Sequence, residues 1–214
     1  TDEQKQIVER TFDSNEHLIS LVSDLLSVSR IEEGKFGYEF KQSDLGEIVD
    51  KICEDLKVQA NARQISVSYT KSDFPLPLVI LDASKINIAI RNVADNAVRY
   101  LLPGGSLKID LRPNKSHKVL ILSIKDNGIG IPENDQKFIF VKFFRASNAL
   151  KYDTEGSGLG LYIAKKITEK HNAKLFFESA ENKGSEFIFQ FPLEAEKMPK
   201  IKKGKKLNPH TNSQ

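Results

Sequence analysis

From Asp2 to Glu33 the chain contains no glycine or proline, and Leu18, Leu21, Val22, Leu25, Leu26, Val28 and Ile31 recur in steps of three and four. That spacing predicts one long helix with a single apolar stripe, ended by Gly34 and Gly37. Heptad steps from Leu18 to Leu25 and from Leu21 to Val28 suit a bundle or a short coiled coil. A helix of this kind is not stable alone, so another copy or a neighbouring helix is the expected partner. His17, a lone histidine on this helix, reads as a surface or packing residue.

Beyond Lys35 the period changes. Phe36, Tyr38 and Phe40 alternate and predict a strand. Ser43 or Asp44 caps a helix over Leu45–Ala62, with Glu47 at capping-box spacing from Asp44. Ile65, Val67 and Tyr69 alternate as a second strand, and Leu78–Leu81 reads as a short buried one. Asp82 or Ser84 then caps a helix over Lys85–Tyr100. Two strands follow Pro103-Gly-Gly105, near Ser106–Arg112 and Lys118–Lys125, and Asp126–Pro132 forms a loop. Glu133–Phe140 reads as a short helix, Val141–Ser157 has no clear period, and Gly158–Lys170 is helical. Leu175–Glu178 and Glu186–Phe191 pair around Asn182-Lys-Gly184. The expected class is α+β: a two-layer α/β sandwich, its mixed sheet covered by helices on one face, preceded by the long helix.

Composition narrows this picture only a little. A chain of 214 residues with 39% hydrophobic content can bury one or two cores. Charge is nearly balanced at a formal +3, and the basic excess collects in the tail at Lys197, Lys200, Lys202, Lys203, Lys205 and Lys206. Such a run reads as a solvated tail rather than a nucleic-acid or anionic-lipid contact, so no nucleic-acid partner is expected. Cys53 is the single cysteine; it excludes an intramolecular disulfide and a thiolate metal cluster, and reads as a small buried apolar residue. The chain opens on no signal peptide and has no apolar run of membrane-spanning length. A soluble, cytoplasmic piece is expected, with membrane attachment only through parts outside it.

The chemistry centres on Asn92-Val-Ala-Asp-Asn96-Ala-Val-Arg-Tyr100. Asn92, Asn96 and Arg99 share one helix face while Ile88, Ala89, Val93 and Ala97 serve the other. Asparagine prefers caps and turns, so two of them inside a helix lower its stability unless they face plain solvent or hold something. Asp126-Asn-Gly-Ile-Gly130 supplies a fixed carboxylate at a strand end, and Gly128 and Gly130 are expected to let backbone approach a flat ligand. Gly156-Ser-Gly-Leu-Gly160 opens a helix, whose N–H groups and positive end suit phosphates. No Lys-Ser/Thr follows Gly160, which excludes a P-loop, and no strand immediately precedes the loop, which argues against a dinucleotide fingerprint.

In this order the segments resemble the catalytic ATP-binding domain of sensor histidine kinases, within the gyrase, heat-shock chaperone, kinase and mismatch-repair ATPase (GHKL) superfamily and its Bergerat-type fold. Asn92–Tyr100 resembles the N box, Asp126–Pro132 the G1 box, Ile139-Phe-Val-Lys-Phe-Phe-Arg145 the F box and Gly156–Leu161 the G2 box. Residues 1–34 resemble part of a dimerisation domain, its second helix; 35–193 the catalytic domain; 194–214 remain a basic tail. The resemblance implies that Asp126 accepts the adenine amino hydrogen and that Asn96, with Asn92 beside it, coordinates Mg²⁺. It also implies that Arg99 and Tyr100 reach phosphate or ribose. Gly128, Gly130, Phe144, Arg145, Gly156, Ser157, Gly158, Leu159 and Gly160 complete the implied ATP-binding set, with Lys142–Ser157 as a flexible lid and Phe140, Phe143 and Phe144 docking that lid or the helical bundle.

Four departures stand beside it. Arg99 and Val141 replace a usual lysine and a usual acid, and His171-Asn-Ala replaces a frequent His-Gly-Gly. No His-Glu/Asp-x-x-x-Pro phosphoacceptor motif occurs, and His117, His171 and His210 lie in or beyond the ATP-binding region. The implied function is a two-component kinase fragment that phosphorylates a histidine on a helix missing from this chain, for relay to the receiver domain of a response regulator, with a homodimeric full-length protein. A related ATPase or serine kinase, such as an anti-sigma-factor kinase, and a nucleotide-sensing interaction module are the alternatives.

Overall fold

A computed structural model describes residues 2–72, 75–114, 116, 118–153 and 156–193. The basic tail, His117, His210 and the side chain of His17 lie outside what is described. Helix α1 (Asp2–Glu32) runs to a turn at Glu33 and Gly34. Its apolar residues do not form the single stripe expected. Leu18, Val22, Leu25 and Leu26 are more than half exposed, whereas Val28 is buried and Ile31 packs on the core of the following domain. The helix therefore has two apolar faces more than a third of a turn apart: one docks on the globule, and one is bare. The globule is not separate from α1, and α1 leans on α6 (Gly160–Lys170).

Five strands form one mixed sheet in the order β2 (Ser66–Lys71), β4 (Ser106–Asn114), β5 (Val119–Asp126), β7 (Gly184–Pro192) and β6 (Lys174–Ala180). Only the β2–β4 pair is parallel, because the chain crosses between them through β3 (Val79–Leu81) and α3 (Ala83–Arg99); the other neighbours are antiparallel. Leu107, Ile109 and Leu111 on β4, and Phe187, Phe189 and Phe191 on β7, alternate onto the buried face. Burying one such phenylalanine contributes roughly 1.5–3 kcal/mol.

Three helices cover that face. In α2 (Leu45–Ala62) the buried set Val49, Ile52, Cys53, Leu56 and Ala60 follows helical spacing, and the Asp44 carboxylate accepts the Gly46 N–H at 2.7 Å as N-cap. Cys53 is buried, and burial pushes its thiol up to about 11, so it behaves as a small apolar residue. Helix α3 buries Ile86, Ala89, Ile90, Val93, Ala94, Ala97 and Val98 and begins at Asp82, whose Oδ1 accepts the Lys85 N–H at 3.1 Å. Its far end is capped from α2: Arg63 Nη1 donates to Val98 O at 2.8 Å and Nη2 to Arg99 O at 3.2 Å. A cation at the carbonyl end of a helix is electrostatically favourable.

Two expectations fail in the connecting segments. Phe36–Phe40 is not a strand; the first strand is β1 (Lys41–Ser43), paired with β3. The reason lies in where its groups bond. The Glu39 N–H donates to Asp82 Oδ2 at 2.8 Å, and the Tyr38 and Phe40 rings pack edge-on against the His171 imidazole, 5.6 and 5.0 Å between centroids. Helix α4 covers only Glu133–Gln136, and the segment without a period contains a six-residue helix, α5 (Ser147–Tyr152). Among the described residues no helix is long and apolar enough to cross a membrane.

His171 joins three elements. Its Nε2 accepts the Asp82 N–H at 3.0 Å, so the proton sits on Nδ1, which donates to Ile167 O at 2.7 Å. Burial depresses its pKa, outweighing the opposing Ile167 hydrogen bond and Asp82 charge. Protonation sets a second N–H against the Asp82 N–H. The contribution to stability is thus fully present above the ordinary value of 6.5 and is lost as pH falls through it towards the folded-state value. Urea-denaturation midpoints measured from about pH 7.5 down to about pH 5.5 should fall, and His171→Gln should flatten that part of the profile. Parallel profiles for the two proteins contradict this role.

Candidate functional site

Helix α3 lies over the sheet with its polar face turned to a cleft. Asn92, Asn96, Arg99 and Tyr100 form one wall, and Asp126 with Ser185 and Phe187 forms the floor. The enclosed space is about 220 Å³. Asn92 Nδ2 is buried without a hydrogen-bond partner, and the Asn92 carboxamide lies where a Cβ on Gly160 would stand 3.2 Å from its oxygen. No protein partner is found for the Asn96 side chain among the described residues. A buried amide left without a partner, as in Asn92, has a ligand-binding rather than a folding rationale, and Asn96 lines the same cleft one turn on. Among the described residues no group of three or more His, Cys, Asp or Glu side chains could hold a metal ion. A donor set of two amide oxygens fits a hard divalent cation that takes its remaining ligands from phosphates and water.

Asp126 closes β5 at the other end of the cleft. Its Oδ1 accepts backbone N–H groups from Gly128 at 2.8 Å and Ser185 at 3.2 Å. Burial raises its pKa, and these two bonds oppose the rise. With Oδ1 fixed, Oδ2 is the oxygen left to accept from a ligand. Ile129, Ile131 and Ile139 supply flat apolar surface beside it.

The glycines of the Asp126 loop serve a purpose the sequence did not suggest. A Cβ on Gly128 would sit 2.4 Å from Tyr100 O, and one on Gly130 (φ +61°) 1.9 Å from Ala180 O. They permit backbone to approach backbone. The tip of the β6–β7 hairpin grips this loop: Asn182 N–H donates to Ile129 O at 2.7 Å, and Ile131 N–H to Ser179 Oγ at 2.9 Å. Asn148 on α5 adds a third hold, donating through Nδ2 to Gly130 O at 2.9 Å.

The remaining end of the cleft is cationic. Arg99 Nη1 lies 3.3 Å from Asp153 Oδ2, Arg145 Nη2 donates to Asp153 O, and Gly156 passes over both guanidinium groups. Helix α6 starts there at Gly160 with no side chain capping its first turn, so its N–H groups and positive end are open to an anion. Ser157 Oγ accepts the Leu159 N–H at 3.2 Å.

Most expected site residues therefore meet in one cleft, including Gly130, Phe144, Arg145, Gly156, Ser157, Gly158 and Gly160. Two do not line it: Gly128 abuts Tyr100 O, and Leu159 is buried in the core. Of the phenylalanines, Phe140 packs edge-on against Phe177, Phe144 lies against Phe138, and Phe143 is exposed. Sequence reasoning missed Asp24, Asp95, Asn148 and Asp153. Asp95 was findable, three positions after Asn92 and four before Arg99 and so on their face of α3. Burial raises its pKa against the pull of Arg91 and Arg99, and its Oδ1 has no hydrogen-bond partner. The others come from α1 and α5 and carry no local signal.

Comparison with known proteins agrees with this geometry. The family model described as histidine kinase-, DNA gyrase B-, and HSP90-like ATPase matches residues 81–195. Sensor histidine kinase RppB of Synechocystis sp. is 33% identical over 178 residues, 82% of this chain and 38% of that protein. Sensor histidine kinase WalK of Bacillus subtilis is 28% identical over 199 residues, 91% of this chain and 32% of that protein. The chain thus spans about a third of the length of these curated relatives. Among solved structures, the mycobacterial sensor histidine kinase MprB superposes with a TM-score of 0.63 at 29% identity, covering 71% of this chain and 97% of that one. Full-length ShkA, solved in complex with AMPPNP, superposes with a TM-score of 0.74 over 90% of this chain and 39% of that one; at 24% identity it speaks for the fold. The matched stretch begins at β3, ends after β7 and contains every residue of the α3, Asp126 and Gly156–Gly160 walls. The chain belongs to the histidine kinase-, DNA gyrase B- and HSP90-like ATPases, as a catalytic ATP-binding domain of the sensor histidine kinase type.

Proposed function

We propose that the chain is the catalytic part of a two-component sensor histidine kinase, which binds Mg–ATP in the α3–β5 cleft and transfers its γ-phosphoryl group to a histidine on a helix outside these 214 residues. The observation that carries this reading is the convergence of open carboxamides, two guanidinium groups and an uncapped helix start at one end of the cleft, with a fixed carboxylate at the other. Asp126 Oδ2 accepts the adenine amino hydrogen, and the isoleucines hold the base plane. Arg99, Arg145 and the first N–H groups of α6 hold the phosphates and the charge that grows on the departing ADP. Mg²⁺, held by Asn96 with Asn92 beside it, supplies further charge neutralisation on the triphosphate.

In this reading residues 1–34 are the second helix of a dimerisation domain. The bare face of Leu18, Val22, Leu25 and Leu26 supports it, since that much exposed leucine and valine on one helix suits a homodimeric bundle. The phosphoryl group then passes to a response-regulator receiver domain on the cytoplasmic side. The solved complex of histidine kinase ThkA with response regulator protein TrrA is a precedent for that partner.

The test is incubation of the chain with Mg²⁺, labelled ATP and a separate helix carrying a His-Glu/Asp-x-x-x-Pro motif. Acid-labile, base-stable label on that helix is expected. Nucleotide binding without transfer, even to the full-length parent, favours a nucleotide-sensing module instead.

A further inference from the structure

Helix α1 does more than lean on the catalytic domain: Ser20, Leu21 and Asp24 line the mouth of the cleft at its cationic end. Asp24 Oδ2 accepts the Ser157 hydroxyl hydrogen at 3.0 Å, and the Arg99 charge acts on it across the cleft mouth without a direct ion pair. Ser157 Oγ in turn accepts an N–H at the start of α6. Arg99 and the N–H groups at the start of α6 are those assigned above to the phosphates, and Ser157 stands between them and Asp24. An oxyanion from α1 therefore sits among them.

The position is reinforced along the same face of α1. Val28, four residues on, is buried, and Glu32, eight residues on, accepts from Lys142 Nζ and from Tyr162 Oη at 3.2 Å. Positions four apart fall on one side of a helix, so the three contacts act as a unit. Burial raises the Asp24 pKa against the pull of Ser157 and Arg99, which marks it as a carboxyl held out of water at some cost. The 220 Å³ enclosed is below the roughly 300–1,000 Å³ of ordinary small-molecule sites. A triphosphate needs the room that Asp24 and its neighbours narrow.

We propose that Asp24 is an internal competitor of the nucleotide's terminal phosphate, so that bound ATP and docked α1 exclude one another. The inference rests on the reading of the cleft as an ATP site. The Asp153 carboxylate already lies on Arg99, so a terminal phosphate brought to Arg99 and Ser157 would meet Asp24 as a second carboxylate, and Asp24 is the one that leaves with α1. By linkage, whatever holds α1 against the domain weakens ATP, and ATP weakens the docking of α1 by the same factor.

The experiment measures ATP, ADP and adenosine binding in the presence of Mg²⁺ for the full chain, Asp24→Asn and Glu32→Gln. Asp24→Asn keeps the size of the side chain and removes its charge. It should tighten ATP by about tenfold, within the usual range of coupling between sites, tighten ADP less, and leave adenosine unchanged. Glu32→Gln, which loosens the same face outside the cleft, should tighten ATP in the same order by a smaller factor. Hydrogen exchange of amides 24–32 should speed up when ATP is added to the unaltered chain and not when adenosine is added. Unchanged or weaker ATP binding by Asp24→Asn, or an equal change for adenosine, overturns the inference alone. Absence of binding by ATP and adenosine in all three proteins overturns the nucleotide reading and the inference with it.

Discussion

Asp126→Asn is expected to lower ATP affinity by roughly ten- to a hundredfold, the worth of a hydrogen bond to a charged group, and to narrow or reverse the preference for ATP over GTP. The direction follows from which oxygen is already engaged. Gly128 and Ser185 each point an N–H at one side of the carboxylate. An asparagine must keep its oxygen there, which turns its NH₂ into the cleft. Adenine then presents a donor to a donor, while the guanine carbonyl finds a donor it can accept from. Because the native carboxyl is desolvated, the neutral amide should fold at least as well, so weaker binding does not reflect unfolding. Competition binding with ATP and GTP checks this, and an unaltered preference refutes the role given to Asp126.

Gly184→Ala should destabilise the fold by more than about 4 kcal/mol, at the extreme of single substitutions. Its backbone has φ +86°, and an added Cβ would stand 2.1 Å from Asp126 O and 2.7 Å from Asn127 Cα. Neither neighbour is a side chain that can swing away. The matched control is Gly104→Ala, with φ +82° and nothing within 4 Å of the added carbon. There the left-handed backbone alone should cost about 1–2 kcal/mol. Equal losses in denaturation midpoint for the two variants refute the clash. The collision also moves Ser185, one of the two donors fixing Asp126, so any folded Gly184→Ala protein should bind adenine nucleotides poorly.

These two substitutions mark what the sequence could and could not convey. Asp126, Asn92, Asn96 and Arg99 were legible because each sits in a short segment whose period or strand end sets its direction. Helices α2 and α3 and the β6–β7 hairpin were legible for the same reason, with Asp44 and Asp82 announcing the starts of the two helices. The reason for Gly130 was not legible, since the Ala180 carbonyl oxygen that it clears is fifty residues away. Phe36, Tyr38 and Phe40 alternate like a strand, yet their rings serve His171 and their backbone serves Asp82, both distant in sequence. The apolar run on α1 concealed two faces, because hydrophobic spacing tells that a surface is covered and not by what. Asp24 was invisible for the same reason.

The Asp82 contact to Glu39 fixes the length of a leash. Between the end of α1 at Glu32 and that anchor lie seven residue steps, which at full extension reach about 24 Å. Should α1 leave the cleft, the catalytic domain remains confined to a small sphere around the helix end. An acceptor within the leash plus the span from that anchor to the cleft meets bound nucleotide at a millimolar-scale local concentration that dilution of the protein does not change, and one beyond that combined reach is never met. Geometry, before any recognition, then decides which helix of a bundle the domain can serve.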